Sequence, residues 1–221
     1  MTSLGKQPSS SQPRLAVLLL AAGEGSRLGS SPKALLQKNG QSLLKRFCLS
    51  TTAFSPTQLL VVTGYHAQAI EAELTKLKQE IPIRIEWVRN PSPELGQASS
   101  VRLGLETLSG DYDVLLVALC DQPLVGTHEI AALLEQFAQR DSQKEIILPM
   151  VGGQRGNPVM FSRKVIAQIL AIEEMVCRPF MDRHPDLVQT FATDNLAYIA
   201  DVDTEADISK FNLQRTVKSP Q

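Results

Sequence analysis

Four continuous aliphatic runs, at residues 15–22, 59–63, 114–119 and 145–150, carry no polar alternation. A strand that alternates buries one face, whereas a strand that is apolar throughout must be covered on both. These runs therefore demand a sheet held between two layers of helix. Segments of helical periodicity separate them, at 67–77, 98–108 and 127–137, the last with Ile130, Leu133, Leu134 and Phe137 on one face. Residues 83–88 alternate weakly and read as a further strand. The rhythm predicts an α/β protein, a three-layer, doubly wound, mostly parallel sheet with right-handed crossovers. From about Gly152 it changes to a Gly/Arg/Pro turn, a helix near 162–172, a second short helix, a β segment around 198–202 and a last helix from Thr204. With no internal repeat and no long linker, residues 14–221 read as one domain. Residues 1–13, rich in Ser, Gln and Pro, read as a disordered tail.

Composition removes several function classes. Apolar residues make up 43% of the chain, enough for a sizeable core. Lysine and arginine number 22 against 23 acids, with no basic stripe to displace counterions from a nucleic acid. Trp87 and the few other aromatics form no stacking series for single strands. Cys48, Cys120 and Cys177 are odd in number and far apart, which fits reduced thiols in a cytoplasm rather than a disulfide framework. His66, His128 and His184 lack ligand spacing, so no zinc site is expected. The run 15–22 follows Lys6 and Arg14 and has the outline of a secretory signal, but it is shorter than a membrane span and leads directly into a glycine-rich loop. It reads as a buried strand, and no membrane partner is expected.

In sheets of this kind ligands gather beyond the carboxyl ends of the strands. The first run ends in Ala21-Ala22-Gly23-Glu24-Gly25-Ser26-Arg27-Leu28-Gly29, with Pro32-Lys33 shortly after. Neither GxGxxG nor GxxxxGK[ST] fits. The glycines nevertheless allow a tight turn that aims several N–H groups at one anion, and Arg27 and Lys33 add charge that a triphosphate rewards. A surface loop with solvated cations is the competing reading. Asp121 follows the run 114–119, and Pro123 prevents that strand from continuing. Its carboxylate suits a hard ion such as Mg²⁺, or serves as a turn or N-cap residue, although Thr127 is placed to cap the next helix. Thr204 and Asp207 form a capping-box variant, which leaves Asp203 free as a second carboxylate or a plain surface aspartate; Asp201 is expected to point to the opposite face. Ser99 and Ser100 open a helix, to bind a ligand or merely to cap it. Cys120 reads as a core thiol.

The stretch Leu18-Leu19-Leu20-Ala21-Ala22-Gly23-Glu24-Gly25-Ser26-Arg27-Leu28-Gly29 with Lys33 resembles the signature of nucleotidyltransferases of the MobA-like NTP transferase family, and of its molybdenum-cofactor cytidylyltransferase branch in particular. Gly96-Gln97-Ala98-Ser99-Ser100 is similar to the family's Gly-x-x-Ser-Ser element, Asp121-Gln122-Pro123 to its DQP motif, Gly153-Gln154-Arg155-Gly156-Asn157-Pro158 to its GxRGxP turn, and Asp201-Val202-Asp203-Thr204 to its closing segment. The resemblance runs from about Arg14 to Asp207 and implies a Rossmann-like nucleotide-diphospho-sugar transferase fold. It also implies that an NTP and a phosphorylated acceptor are joined with release of pyrophosphate. Ala21, Ala22, Gly23, Gly25, Ser26, Lys33, Ser99 and Ser100 would then bind nucleotide, Arg27, Lys33 and Asp121 would serve catalysis, and Asp121 and Asp203 would hold Mg²⁺. Arg155, Asn157 and Arg178 fall on the acceptor side, with Arg155 in a turn that reads equally as a surface hairpin.

The Ala22 methyl crowds a purine more than a pyrimidine, which favours CTP over GTP. The implied acceptor is the pterin of molybdenum cofactor, and the implied client a molybdoenzyme. Two departures fall on the acceptor side: Asn157 stands where this branch often has histidine, and an acidic G-D-x-G-x-R stretch is replaced by Glu174-Met175-Val176-Cys177-Arg178-Pro179-Phe180. A sugar or polyol phosphate acceptor, or a non-catalytic carrier of a pterin nucleotide, are the alternatives.

Overall fold

A computed structural model describes residues 13–215 of the 221-residue chain. The tail expected at residues 1–13 lies outside the described residues except for Pro13. The strands are β1 (Leu15–Ala21), β2 (Gln37–Lys38), β3 (Gln41–Ser42), β4 (Gln58–Thr63), β5 (Ile85–Arg89), β6 (Val114–Leu119), β7 (Ile146–Val151), β8 (Gln154–Arg155), β9 (Val159–Ser162) and β10 (Val188–Ala192). The α-helices are α1 (Leu43–Thr51), α2 (Ala67–Glu80), α3 (Gln97–Thr107), α4 (Thr127–Ala138), α5 (Arg163–Leu170), α6 (Cys177–Arg183) and α7 (Glu205–Lys210).

The main sheet runs β10-β7-β9-β6-β1-β4-β5, with β8 on β7. β1, β4, β5 and β6 are mutually parallel, as β7 and β10 are, while β9 enters antiparallel between β6 and β7. The mostly parallel sheet is therefore as expected, and every residue of β1 is buried. Its side chains divide by parity. Val17 and Leu19 pack with Leu44 and Phe47 of α1, Ile70 and Leu74 of α2, and Ile130 and Leu133 of α4. Ala16 and Leu18 pack with Val101 and Leu105 of α3, Val165 and Ile169 of α5, and Phe180 of α6. Close packing of α3 on the sheet depends on Gly104, where a Cβ would lie 2.5 Å from Leu18 Cδ1.

A third apolar cluster lies outside both layers. Leu28 and Leu36, which flank the loop after β1, pack with Val202, Ile208, Phe211 and Leu213. Gln37 and Gln214 exchange backbone bonds of 2.8 and 2.9 Å, so the C-terminal stretch is fastened beside that loop.

Three expectations are corrected. Residues 198–202 form no strand: Asn195 accepts from Ala197 N at 3.0 Å and starts a single 3₁₀ turn, Leu196–Tyr198, and the outer strand is instead β10. Thr127 does not cap α4. Gly126 is the N-cap, its N–H donating to Glu129 Oε2 at 2.9 Å, and the Thr127 hydroxyl donates to Ser50 O instead. Asp201 does not face away from Asp203, as the site below makes clear.

At the opposite edge from the strand carboxyl ends, Arg14 ties β1 to β6. Its backbone N–H and Nε both reach Asp113 Oδ2, at 2.9 and 3.0 Å, and Nη2 reaches Oδ1 at 2.8 Å. These bonds, chiefly from the Arg14 side chain, pull the Asp113 carboxyl from 3.8 to about 2. A carboxylate with a depressed folded-state pKa stabilises the fold above its unfolded value and loses that contribution as pH falls through the folded value. Thermal melts of wild type and Asp113→Asn from pH 7 to pH 2 should therefore differ most at neutral pH and converge between about pH 4 and pH 2. A constant difference across that range would refute the assignment.

Candidate active site

Beyond the carboxyl ends of β1 and β6 opens a cavity of about 490 Å³, within the range of small-ligand sites. The location follows from the topology: β4 and β6 flank β1 on opposite sides, so the connections diverge there. The loop after β1 forms one wall. Gly25 is in the left-handed region at φ +68°, and a Cβ there would sit 2.2 Å from Ser31 O, so the loop folds back on itself only with glycine at this position. The fold-back places a 3₁₀ turn at Lys33–Leu35, with Ala34 buried beneath it.

Of the sequence-derived residues, Ala21, Ala22, Gly23, Gly25, Ser26, Arg27, Lys33, Ser100, Asp121 and Asp203 all line this cavity. At its centre Lys33 Nζ lies 3.1 Å from Asp121 Oδ2 and 2.5 Å from Asp203 Oδ1. Arg27 Nη1 lies 3.1 Å from Asp203 Oδ2, on a side chain that is 73% exposed. Burial disfavours the Lys33 charge, yet the two aspartates hold its pKa above the ordinary lysine value. The Asp121 carboxyl is pushed upward by burial; Lys33 opposes that shift and Asp201 adds to it.

Asp201 is the residue that the sequence reading misplaced. It lines the same cavity as Asp203 because residues two apart in an extended segment share a face, while Val202 between them points into the third apolar cluster. The segment is anchored by Val202 N donating to Asp121 O at 3.0 Å. It is anchored again at Tyr198, whose carbonyl accepts from Gln122 Nε2 at 3.0 Å and Asn157 N at 2.8 Å. The capping box at α7 forms as read: Asp207 Oδ2 accepts from Thr204 N at 2.8 Å and from Asp203 N at 3.1 Å. With Asp207 occupied in this way, the Asp203 carboxylate is left to the cavity.

Ser99 and Ser100 do open α3, and Asn90 Nδ2 donates to both hydroxyls at 2.9 Å. Ser99 donates in turn to Gly96 O at 2.8 Å, outside the cavity. Arg155, Asn157 and Arg178 also lie outside it, and Arg155 is paired with Asp182 at 2.6 Å. Tyr65, Pro93 and Gln97 join the lining without having been singled out. Their position at loop starts beyond β4 and β5 was the available signal. Cys120 is buried just past β6 and its thiol is raised well above its ordinary pKa by burial, as befits a core thiol.

The donor set suits a divalent cation. Asp121 Oδ1 is buried and has no hydrogen-bond partner in the structure, an acceptor that costs free energy until something positive reaches it. Among the described residues no group of three or more His, Cys, Asp or Glu side chains forms a complete metal cage. Two carboxylates in a cavity that also carries Lys33 and Arg27 fit a divalent cation held by one or two protein oxygens.

Comparison with known proteins places this geometry. Residues 17–187 match the model of the MobA-like NTP transferase domain. The bifunctional protein GlmU of Acaryochloris marina is 30% identical over 166 residues, which cover 75% of this chain and 35% of that protein. The chain thus spans about a third of that relative's length. Among solved structures, 4-diphosphocytidyl-2C-methyl-D-erythritol synthase from Anaerococcus prevotii superposes with a TM-score of 0.70 at 12% identity, over 91% of this chain and 98% of its own. A Mycobacterium tuberculosis protein solved in complex with manganese superposes at 0.65 and 21% identity, over 90% and 97%. At such identities the likeness is one of fold.

Substituting Gly25 tests the loop. Gly25→Ala should cost about 1–3 kcal/mol of stability, because it forces a side chain into the left-handed region and against Ser31 O. Calorimetry with CTP–Mg²⁺ should register at least tenfold weaker binding, about 1.4 kcal/mol. Unchanged affinity in a folded variant would remove the loop from the site.

Proposed function

The chain belongs to the MobA-like NTP transferase family, and from that membership we propose that it is a divalent-metal-dependent nucleotidyltransferase that joins an NMP, CMP for preference, to a phosphorylated acceptor. The observation that carries the reading is the Lys33 ammonium bridging Asp121 and Asp203 at the mouth of the glycine-rich loop. An oxygen of the acceptor phosphate attacks the α-phosphorus of the NTP, the bond to the bridging oxygen breaks, and pyrophosphate leaves. The attacking oxygen is already anionic, so no serine, cysteine or histidine nucleophile is needed. The protein's task is to align two anions and offset their repulsion.

The chain's own groups divide that task. The glycine-rich loop would lend the triphosphate backbone N–H groups other than those of Leu28 and Gly29, which are bonded to Gly25 and Ser26, and Lys33 supplies a charge beside it. Arg27, exposed at the rim, is placed to follow the charge that develops on the departing pyrophosphate. Asp121 and Asp203 would hold Mg²⁺, which when bound would neutralise charge on the phosphate oxygens. The Ala22 methyl on the cavity wall supports a pyrimidine over a purine.

For the acceptor, Arg155, Asn157 and Arg178 lend no support to a pterin, since they lie outside the cavity and Arg155 is already paired. The acceptor is therefore put as a phosphomonoester, with molybdopterin and sugar or polyol phosphates as the compounds to compare in a pyrophosphate-release assay. A carrier without catalysis would have no use for two carboxylates about one lysine, one of them with a buried, unpaired oxygen.

The decisive test uses those carboxylates. Asp121→Asn and Asp203→Asn should each lower turnover by about 10² or more, with the fold intact by circular dichroism. Because both act through one ion, the double variant should be little slower than the slower single. Independent effects of about 1 kcal/mol each on stability, with near-normal turnover, would mark them as structural and overturn the proposal. CTP should also bind more tightly than GTP by calorimetry; the reverse order would overturn the base preference alone.

A further inference from the structure

The same ammonium has a second consequence. Lys33 lies directly between the two carboxylates that the proposed reaction assigns to the metal, at 3.1 Å from Asp121 and 2.5 Å from Asp203. Its side chain is only 18% exposed and stands on a 3₁₀ turn pinned by buried Ala34 and Leu36. It is therefore not a surface cation that drifts away freely. Asp201 and Glu24 bring the carboxylates of the cavity to four, against the two cations Lys33 and Arg27. Within the ligand-free molecule the ammonium already does electrically what a metal would do.

We propose that Lys33 is the resident counter-cation of the Asp121–Asp203 pair, and that a divalent metal and a polyphosphate therefore enter the cavity as mutually dependent ligands. This rests on the nucleotidyltransferase reading and deepens it. A divalent ion arriving alone has to share two carboxylates with an ammonium at contact distance, and repulsion between the two cations opposes it. A polyphosphate arriving alone meets four carboxylates, those of Glu24, Asp121, Asp201 and Asp203, which repel it. When both arrive, the ammonium transfers from the carboxylates to phosphate oxygens, a partner of equal charge assistance, and the ion takes its place. Each ligand thus raises the affinity of the other, by the same factor in both directions. The nucleotide-free protein is kept from holding a bare metal that would have no substrate to act on.

The test is metal binding rather than turnover. Free Mn²⁺ is titrated against the full chain by electron paramagnetic resonance without nucleotide, for wild type and for Lys33→Met, which keeps the length of the side chain and removes its charge. Lys33→Met should bind Mn²⁺ about tenfold more tightly or better, and adding Asp203→Asn to it should abolish the gain. Equal or weaker binding by folded Lys33→Met would overturn the proposal. Should that variant not fold, the wild-type chain carrying ¹³C-dimethylated lysines gives the second measurement. The Lys33 methyl signal should stay in place with Mg²⁺ alone and move when Mg²⁺ and a non-hydrolysable CTP analogue are added together; movement with Mg²⁺ alone would overturn it. Failure of the analogue to bind at all would sink the nucleotidyltransferase reading, while the Mn²⁺ comparison still decides the role of Lys33.

Discussion

Burial of β1 on both faces is the constraint from which the rest follows. All seven of its residues are enclosed, and the neighbouring strands β4 and β6 are nearly as dry. Polar chemistry has no place on the faces of such a sheet, and the only exits are the strand ends. The loop from Gly23 to Lys33 leaves from one of these ends and Asp121 from the adjacent one. Asp203 arrives from elsewhere in the chain and is fixed there by a backbone bond from Val202 to the Asp121 carbonyl. A covered sheet thus supplies a rigid platform, and three mobile-looking pieces of sequence become a single site because each is tied to that platform.

The electrostatic balance at the site is close. Lys33 is held charged by two aspartates although burial opposes it, and burial raises the Asp121 carboxyl above its ordinary pKa against the opposing pull of Lys33. Neither group would be tolerable alone at that depth, since an unpaired buried charge costs far more than a paired one. Even so, Asp121 Oδ1 is left without a partner. A buried acceptor left over beside a paired ammonium is what a site prepared for a cation-bearing substrate would keep.

Much of this was legible in the residues. Unbroken aliphatic runs announce doubly covered strands, and the spacing of Ile130, Leu133 and Phe137 announces α4. The capping box of Thr204 and Asp207 correctly released Asp203 for other work. What escaped detection did so for physical reasons. β9 is four residues long and enters antiparallel, set by its pairing with β6 and β7 rather than by any local pattern. β10 is a half-exposed edge strand whose sequence, Val-Gln-Thr-Phe-Ala, commits to neither face. The cap of α4 went to Gly126 because Glu129 reaches back to its N–H, leaving Thr127 to bond Ser50. Arg155 carries charge on the short hairpin strand β8, where a ligand clamp could sit, but Asp182 on α6 is near enough to claim it. Tertiary proximity decided each of these cases, and it is the one thing a linear pattern does not carry.

The third apolar cluster, where Val202, Ile208, Phe211 and Leu213 close over Leu28 and Leu36, also sets an order of assembly. Lys33 and Asp203 are 170 residues apart in sequence, among the longest-range contacts of the molecule. During synthesis strands β1 to β6 and the first covering helices, α1 to α3, are made well before Asp203 leaves the ribosome. Closing so long a loop is entropically costly until the platform exists to receive it. Until the segment around Asp203 has been made, a nascent chain therefore holds Lys33 without one of its two carboxylates.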